Sequence, residues 1–255
     1  MKKLLLTITL TISPILAQCD WNDDGQIDVL DVVATVDCIM SDCWGNIGNT
    51  IMDIDGNVYE IITIGDQLWM AENLKVTHYR NGDEIPTGWP SYNGAYAVYN
   101  GDPSHTDIYG NLYNWYAVDD SRGVCPEGYH VPTDEEWTEL ESYLGMAESE
   151  LYDYGYRGTD QGSQLAGNAD LWVDGALENN ENFGSSGFLA LPGGYRYYGN
   201  GAYGDMGNGG YFWSASEGSS DGAWYRALYY FNSAVYRNVN NKRGGFSVRC
   251  VKDSE

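Results

Sequence analysis

Basic residues are scarce in this sequence. Thirteen lysines and arginines stand against 37 aspartates and glutamates, leaving a formal net charge of −24 over 255 residues. A surface of that sign repels phosphate backbones and argues against nucleic-acid binding. Histidine is scarcer still: His78, His105 and His130 are isolated and at no metal-site spacing. His130, beside Val131-Pro132, reads as a packed, hydrogen-bonded residue. No Gly-x-Ser-x-Gly, His-Glu-x-x-His or phosphate loop occurs, so the common hydrolase and nucleotide signatures are missing. After residue 17 no apolar run is long enough to span a membrane. Carboxylates, by contrast, are too numerous for a glycosidase-type pair to be chosen from the text, because that chemistry depends on a separation in space.

What is present begins with an export signature. Lys2 and Lys3 form a basic start, residues 4–16 an apolar stretch, and Ile15-Leu16-Ala17 a cleavage signal. The run is under 18 residues and holds Ser13 and Pro14, which fits a signal peptide (1–17) better than a membrane span. Its removal takes away two lysines and no acid, moving the charge to −26. A secreted or cell-surface protein is expected. Lipid anchoring at Cys19 is the weaker alternative, since Gln18 is bulky where such a signal wants a small residue.

Five cysteines suit an oxidising compartment and leave one over. Cys125 with Cys250 is the simplest pair and closes most of the main domain. On the chain-entropy account it contributes roughly 4–5 kcal/mol. Cys19 with Cys38 is the preferred second pair, and Cys38 with Cys43 its rival.

Residues 20–31 place oxygen ligands at Asp20, Asn22, Asp24, Asp28 and Asp31. Gln26 offers its carbonyl, Gly25 permits the turn and Ile27 anchors the loop. Calcium needs six or more oxygens, which a chain supplies only by curling tightly. Val29, Val32, Val33 and Val36 then form the apolar side of a helix. The pattern resembles one repeat of a type I dockerin. Dockerins carry two such repeats and only one stands here, so cohesin is not the expected partner. The expected organisation is a repeat over 18–43, a linker over 44–50 and a main domain over 51–255. Asp53 to Asn57 is a second acidic stretch, but Asp55-Gly56 reads as a hairpin turn. Strands are expected over 58–64 and 67–70.

The firmest helix starts after Pro132. Thr133 caps it, Glu136 completes a capping box, and Asp134, Glu135 and Glu136 fill its first turn. Trp137, Leu140 and Leu144 form its apolar stripe, and Gly145 stops it. Residues 112–118 could be strand or a turn of helix, and 155–181 looks irregular. Short strands are expected within 187–196, 210–216, 223–230 and 245–251, between glycine turns. One long helix among hairpins gives an α+β domain.

Seven ordered blocks, including Trp69-Met-Ala-Glu-Asn-Leu-Lys75, Cys125-Pro-Glu-Gly-Tyr-His-Val-Pro-Thr133, Leu191-Pro-Gly-Gly-Tyr-Arg196 and Gly245-Phe-Ser-Val-Arg-Cys250, carry a family resemblance. From about Ile51 to Val251 the chain resembles the Fibrobacter succinogenes major paralogous domain. That family is similar to the formylglycine-generating, sulfatase-modifying group and, through it, to the C-type lectin fold. The resemblance implies an exported or surface-associated bacterial protein, a C-type-lectin-like α+β fold and no transferable catalytic residue. Formylglycine-generating enzymes need reactive cysteines in their carboxyl-terminal half, where this chain has only Cys250.

A ligand surface is expected in the Tyr-, Trp- and Asn-rich tail, at Tyr197, Tyr203, Trp224, Tyr229, Asn232, Tyr236 and Asn238. Rigid aromatics with adaptable amides suit sugars as well as proteins. The alternative is that these aromatics fill a small core. Arg196, Arg226, Arg237 and Arg249 are expected to hold internal carboxylates. The functional expectation is a non-catalytic binding module with a glycan or envelope protein as partner and Ca2+ as cofactor. An assembly protein attached through its amino-terminal repeat, or a component of a polysaccharide-degrading system, are the alternatives. Calorimetric titration of chelator-treated protein should show one calcium site, abolished by Asp20→Ala combined with Asp24→Ala; no heat and no stabilisation would end that expectation.

Overall fold

A computed structural model describes residues 50–89 and 92–254. The expected signal peptide, the calcium loop with Asp20, Asn22, Asp24, Gln26, Asp28 and Asp31, the Cys19–Cys38 pair and most of the linker lie outside the described residues.

From Thr50 on, the fold is mixed α+β with few helices. The strands in chain order are β1 (Thr50–Met52), β2 (Val58–Ile64), β3 (Gln67–Met70), β4 (Tyr96–Ala97), β5 (Leu112–Tyr113), β6 (Tyr129–His130) and β7 (Gly155–Arg157). Then come β8 (Gly193–Arg196), β9 (Tyr203–Met206), β10 (Gly209–Ser219), β11 (Gly222–Tyr229), β12 (Asn232–Asn241) and β13 (Val251–Lys252). The helices are α1 (Ser104–Tyr109), α2 (Trp115–Val118), α3 (Asp134–Tyr143) and α4 (Gln161–Leu165). One sheet runs β1-β2-β3-β13-β6 and a larger one β7-β12-β11-β10-β8-β9, with β4 and β5 as a separate pair. None of these helices is long and apolar enough to cross a membrane.

Helix α3 forms as its sequence dictates. Thr133 Oγ1 accepts from the Glu136 N–H, and the Glu136 carboxylate accepts from the Thr133 N–H at 2.8 Å. Gly145 ends the helix in the left-handed region, with φ +93°, where a side chain would be strained. Glu136 also bonds His130 Nε2 (2.8 Å), and His130 Nδ1 meets the Asp253 carboxylate (2.6 Å), so the cap is tied to the final segment.

Two apolar cores flank the larger sheet. Trp69, Trp137, Leu140, Phe188, Phe212, Leu228 and Val235 fill the side facing α3. Tyr113, Trp115, Tyr211, Trp213, Tyr225 and Phe246 pack on the other side, with Cys125 and Cys250 among them. Those two cysteines form the expected disulfide, 125 residues apart in sequence.

Between α3 and the sheet lies a buried ion network. Arg157 forks onto both Glu141 oxygens at 2.7 and 3.0 Å. Arg226 donates to Glu141 (2.7 Å) and to Asp134 (2.6 Å). Arg237 forks onto Asp134 at 2.5 and 3.1 Å. Burial alone would raise the Asp134 pKa, but the hydrogen bonds and charges of Arg237 and Arg226 outweigh it and hold the carboxyl below its usual value. Carbonyls of Leu151 and Tyr152 take further guanidinium donors.

Several expectations change. Residues 232–241, rich in asparagine, form a long strand that composition disfavours; its two neighbours on the sheet supply the register that overrides propensity. Residues 245–250 are not a continuous strand but meet other segments of the fold through isolated bridges, Gly245 to Arg196, Phe246 to Tyr113 and Ser247 to Phe212. Region 155–181 holds β7 and α4. Residues 112–118 hold both a strand and a helical turn. Arg226 and Arg237 do hold carboxylates, but Arg249 does not. It is fully buried and donates to Asn73 Oδ1 and the carbonyls of Met70, Phe188 and Leu189. Burial pushes its pKa down.

Two outcomes follow for stability. Glu141→Gln leaves two buried arginines without their shared anion and should cost about 3–5 kcal/mol in urea unfolding; a loss under about 1 kcal/mol, the range of an exposed pair, would contradict the network. The hydrogen bond to Glu136, seconded by that to Asp253, raises the His130 pKa from 6.5 to about 8. Because the folded value is the higher one, this contribution is complete below pH 6.5 and fades as pH rises through about 8. His130→Ala should flatten that part of the stability profile, and an unchanged profile would count against the pairing.

Candidate functional site

The larger sheet's two faces differ in chemistry because side chains alternate along a strand. Arg226 and Arg237 are register partners and point at α3. Tyr225 and Ala227, the flanking positions, pair with Asn238 and Tyr236 and belong to the opposite face. Tyr211 pairs with Ala227 and joins them there.

On that second face lies a cleft of about 250 Å³. Tyr195, Tyr211, Tyr225, Tyr229 and Phe246 form its wall, with Arg196, Asp205 and Asn240 as polar groups and Tyr197 and Tyr198 at its edge. Tyr211 is the hub. Its ring stacks on Phe246 at 5.2 Å, meets Tyr195 edge-on at 5.1 Å and Tyr229 at 5.6 Å. Its hydroxyl donates to Asp205 Oδ2 at 2.5 Å. Asp205 itself sits at φ +61°, a region that costs most L residues energy and that a short polar side chain tolerates best.

Burial, then the hydrogen bond to Asp205, drives the Tyr211 pKa far up. Burial likewise pushes Tyr229 up to about 12 and raises Tyr225 and Tyr195. The wall is therefore neutral phenol at physiological pH, able to donate and accept hydrogen bonds and to offer ring faces. No histidine or free thiol lines this cleft among the described residues. Nor does any group of three or more His, Cys, Asp or Glu there suit a metal ion.

A second cavity of about 340 Å³ adjoins it, lined by Trp89, Tyr96, Val98 and Tyr203. Arg196 lines both. Its guanidinium lies 4.2 Å from the Trp89 ring centre. Gly245 makes that stack possible, because a Cβ there would come within 2.7 Å of Trp89 and 2.8 Å of Arg196.

The seven tail residues expected to bind ligand do not form one site. Tyr197 and Tyr229 line the cleft, and Tyr203 the adjoining cavity beside Tyr99 (5.2 Å). Tyr236 backs Tyr229 at 5.8 Å and accepts from Asn238 Nδ2 at 2.8 Å. Asn232 accepts from the Ala234 N–H at the hairpin bend. Trp224 lies on the other face, under Arg237 at 3.6 Å and against Tyr154 at 4.9 Å. Arg196, expected to hold a carboxylate, holds an indole face instead. Asp205 and Arg243 carried no expectation from the sequence, and Phe246 entered only as part of the Gly245–Cys250 block. Alternation outward from Tyr211 and Tyr225 was the signal that separates Tyr229 from Trp224.

The family model described as the Fibrobacter succinogenes major domain matches residues 62–252. No curated protein and no solved structure matches the chain.

Proposed function

Because the chain belongs to the Fibrobacter succinogenes major domain family, and the match takes in every residue of the cleft, we propose that the domain is a binding module whose tyrosine-lined cleft receives a hydroxyl-rich ligand, a carbohydrate. The observation that carries this reading is the cleft wall itself. Neutral phenols stacked around Tyr211 offer flat apolar faces and fixed hydroxyls, and Asn240 adds an amide at the same opening. Such surfaces hold a sugar ring by face contact while hydrogen bonding its edge. Tyrosine brings this contact area at low conformational cost. Binding rather than catalysis is the better use of these groups: phenols held well above neutral pH neither attack nor shuttle protons near pH 7.

The Cys125–Cys250 disulfide supports a location in an oxidising compartment. The pattern at Asp20, Asn22, Asp24, Gln26, Asp28 and Asp31 supports a calcium-binding repeat ahead of the domain, and residues 1–17 support export. The sheet-rich layout with one principal helix is compatible with a C-type-lectin-like architecture, which we keep as part of this proposal.

Affinity electrophoresis across a panel of polysaccharides tests the reading. Retardation by at least one glycan should fall about tenfold in affinity, the equivalent of ~1.4 kcal/mol, in Tyr229→Ala. It should be unchanged in Tyr143→Ala, an exposed residue on α3. No retardation across the panel, or equal losses in both variants, would remove the proposal.

A further inference from the structure

Among the described residues, eight of the eleven lysines and arginines have a side-chain partner, and Lys252 is exposed near the final strand's end. Arg157, Arg226 and Arg237 serve the buried network. Arg122 pairs with Asp120 and Asp83, Lys75 with Glu72 and Lys242 with Glu217. Arg80 donates to the carbonyls of Cys125 and Tyr129, and Arg249 to Asn73 and three carbonyls. Two arginines differ. The guanidiniums of Arg196 and Arg243 make no hydrogen bond and no ion pair among the described residues; Arg196 lines both cavities, and Arg243 precedes Gly244, which lines the cleft. Arg196 stacks on Trp89, and Arg243 lies 5.9 Å from the Tyr198 ring centre.

The backbone brings them together. Arg196 and Gly245 exchange both backbone hydrogen bonds at 2.9 Å, which sets Arg243 two residues from that bridge. Trp89 Nε1 then donates to the Arg243 carbonyl at 2.6 Å, so one indole supports both residues. Asp205, the carboxylate that lines the cleft, receives the Tyr211 hydroxyl and forms no salt bridge with either arginine.

Each guanidinium carries five donors in a planar fork that matches a carboxylate. For Arg196, stacking on Trp89 at 4.2 Å fixes the plane of that fork in advance, which lowers the ordering cost of binding. We infer that the cleft selects an acidic glycan, a uronate-containing chain whose carboxylate is held by Arg196 and Arg243 while its ring rests on the tyrosine wall. The inference rests on the carbohydrate reading above and adds the charge of the ligand. A single carboxylate feels mainly its immediate neighbours, since the screening length is about 8 Å at physiological salt. Arg196 borders both cavities, so one sugar unit can occupy each with the charged group between them.

Calorimetry with trigalacturonate and with its methyl ester tests this, because esterification removes the charge and keeps the rings. The acid is expected to bind at least about tenfold more tightly than the ester, the equivalent of ~1.4 kcal/mol. Arg196→Gln should bring the acid down to the level of the ester while leaving the ester unchanged, and Arg243→Gln should do the same in part. Thermal midpoints equal to that of the parent protein establish that both variants are folded. Equal affinities for acid and ester, both weakened by Tyr229→Ala, would overturn the carboxylate assignment and leave the carbohydrate reading standing. Binding of neither sugar, with binding of polyglutamate sensitive to Arg196→Gln, would overturn both.

Discussion

Two carboxylates on one face of α3, Asp134 and Glu141, hold three arginines from three adjacent strands. Arg226 and Arg237 are direct register partners on β11 and β12, and like charges so placed repel. They can share that position because Asp134 accepts from both. Glu141, two turns further along α3, does the same for Arg226 and Arg157. Burying such charges has a large desolvation cost, so the network is weak evidence for extra stability. What it supplies is position: all five charges are paired in this docking of the helix on the sheet, with only Arg157 Nε left without a partner, and that pairing ties the helix to one strand register.

That register decides the chemistry of the opposite face. In a strand every second residue changes side, so a slip of one position would turn arginines outward and tyrosines toward the helix. With Arg226 fixed on Asp134, Tyr225 and Ala227 belong to the far side, where Tyr225 stacks against Tyr211 and Phe246. The brace and the cleft are two consequences of one alignment. The same alignment explains why Trp224, the most conspicuous aromatic of the tail, is a cover for Arg237 rather than a cleft residue.

Local signals in the sequence were readable and long-range ones were not. Thr133, Glu136 and Gly145 announce the helix because capping is a matter of a few neighbouring atoms. Cys125 and Cys250 could be paired because the remaining cysteines cluster elsewhere. Asp134 read only as an acid of the helix's first turn and Glu141 carried no reading, since nothing nearby in sequence names Arg226 and Arg237, some 85 to 103 residues away. The Asn232–Asn241 strand was hidden by a composition that strands avoid, and is set by pairing on both sides. Arg249 was given a carboxylate by analogy with its fellows, whereas its fork is filled by carbonyls that only the folded chain assembles. The cleft was half legible: a tyrosine- and asparagine-rich tail suggested a surface, but the division of its members between two faces depends on register.

Amide shift mapping with an isotopically labelled protein and an oligouronide reads both faces of the sheet in one experiment. The account predicts perturbations at residues 195–198, 205, 229 and 240–244, with α3 and Trp224 silent. Perturbations centred on α3 and Trp224, or scattered without a focus on the tyrosine face, would contradict it.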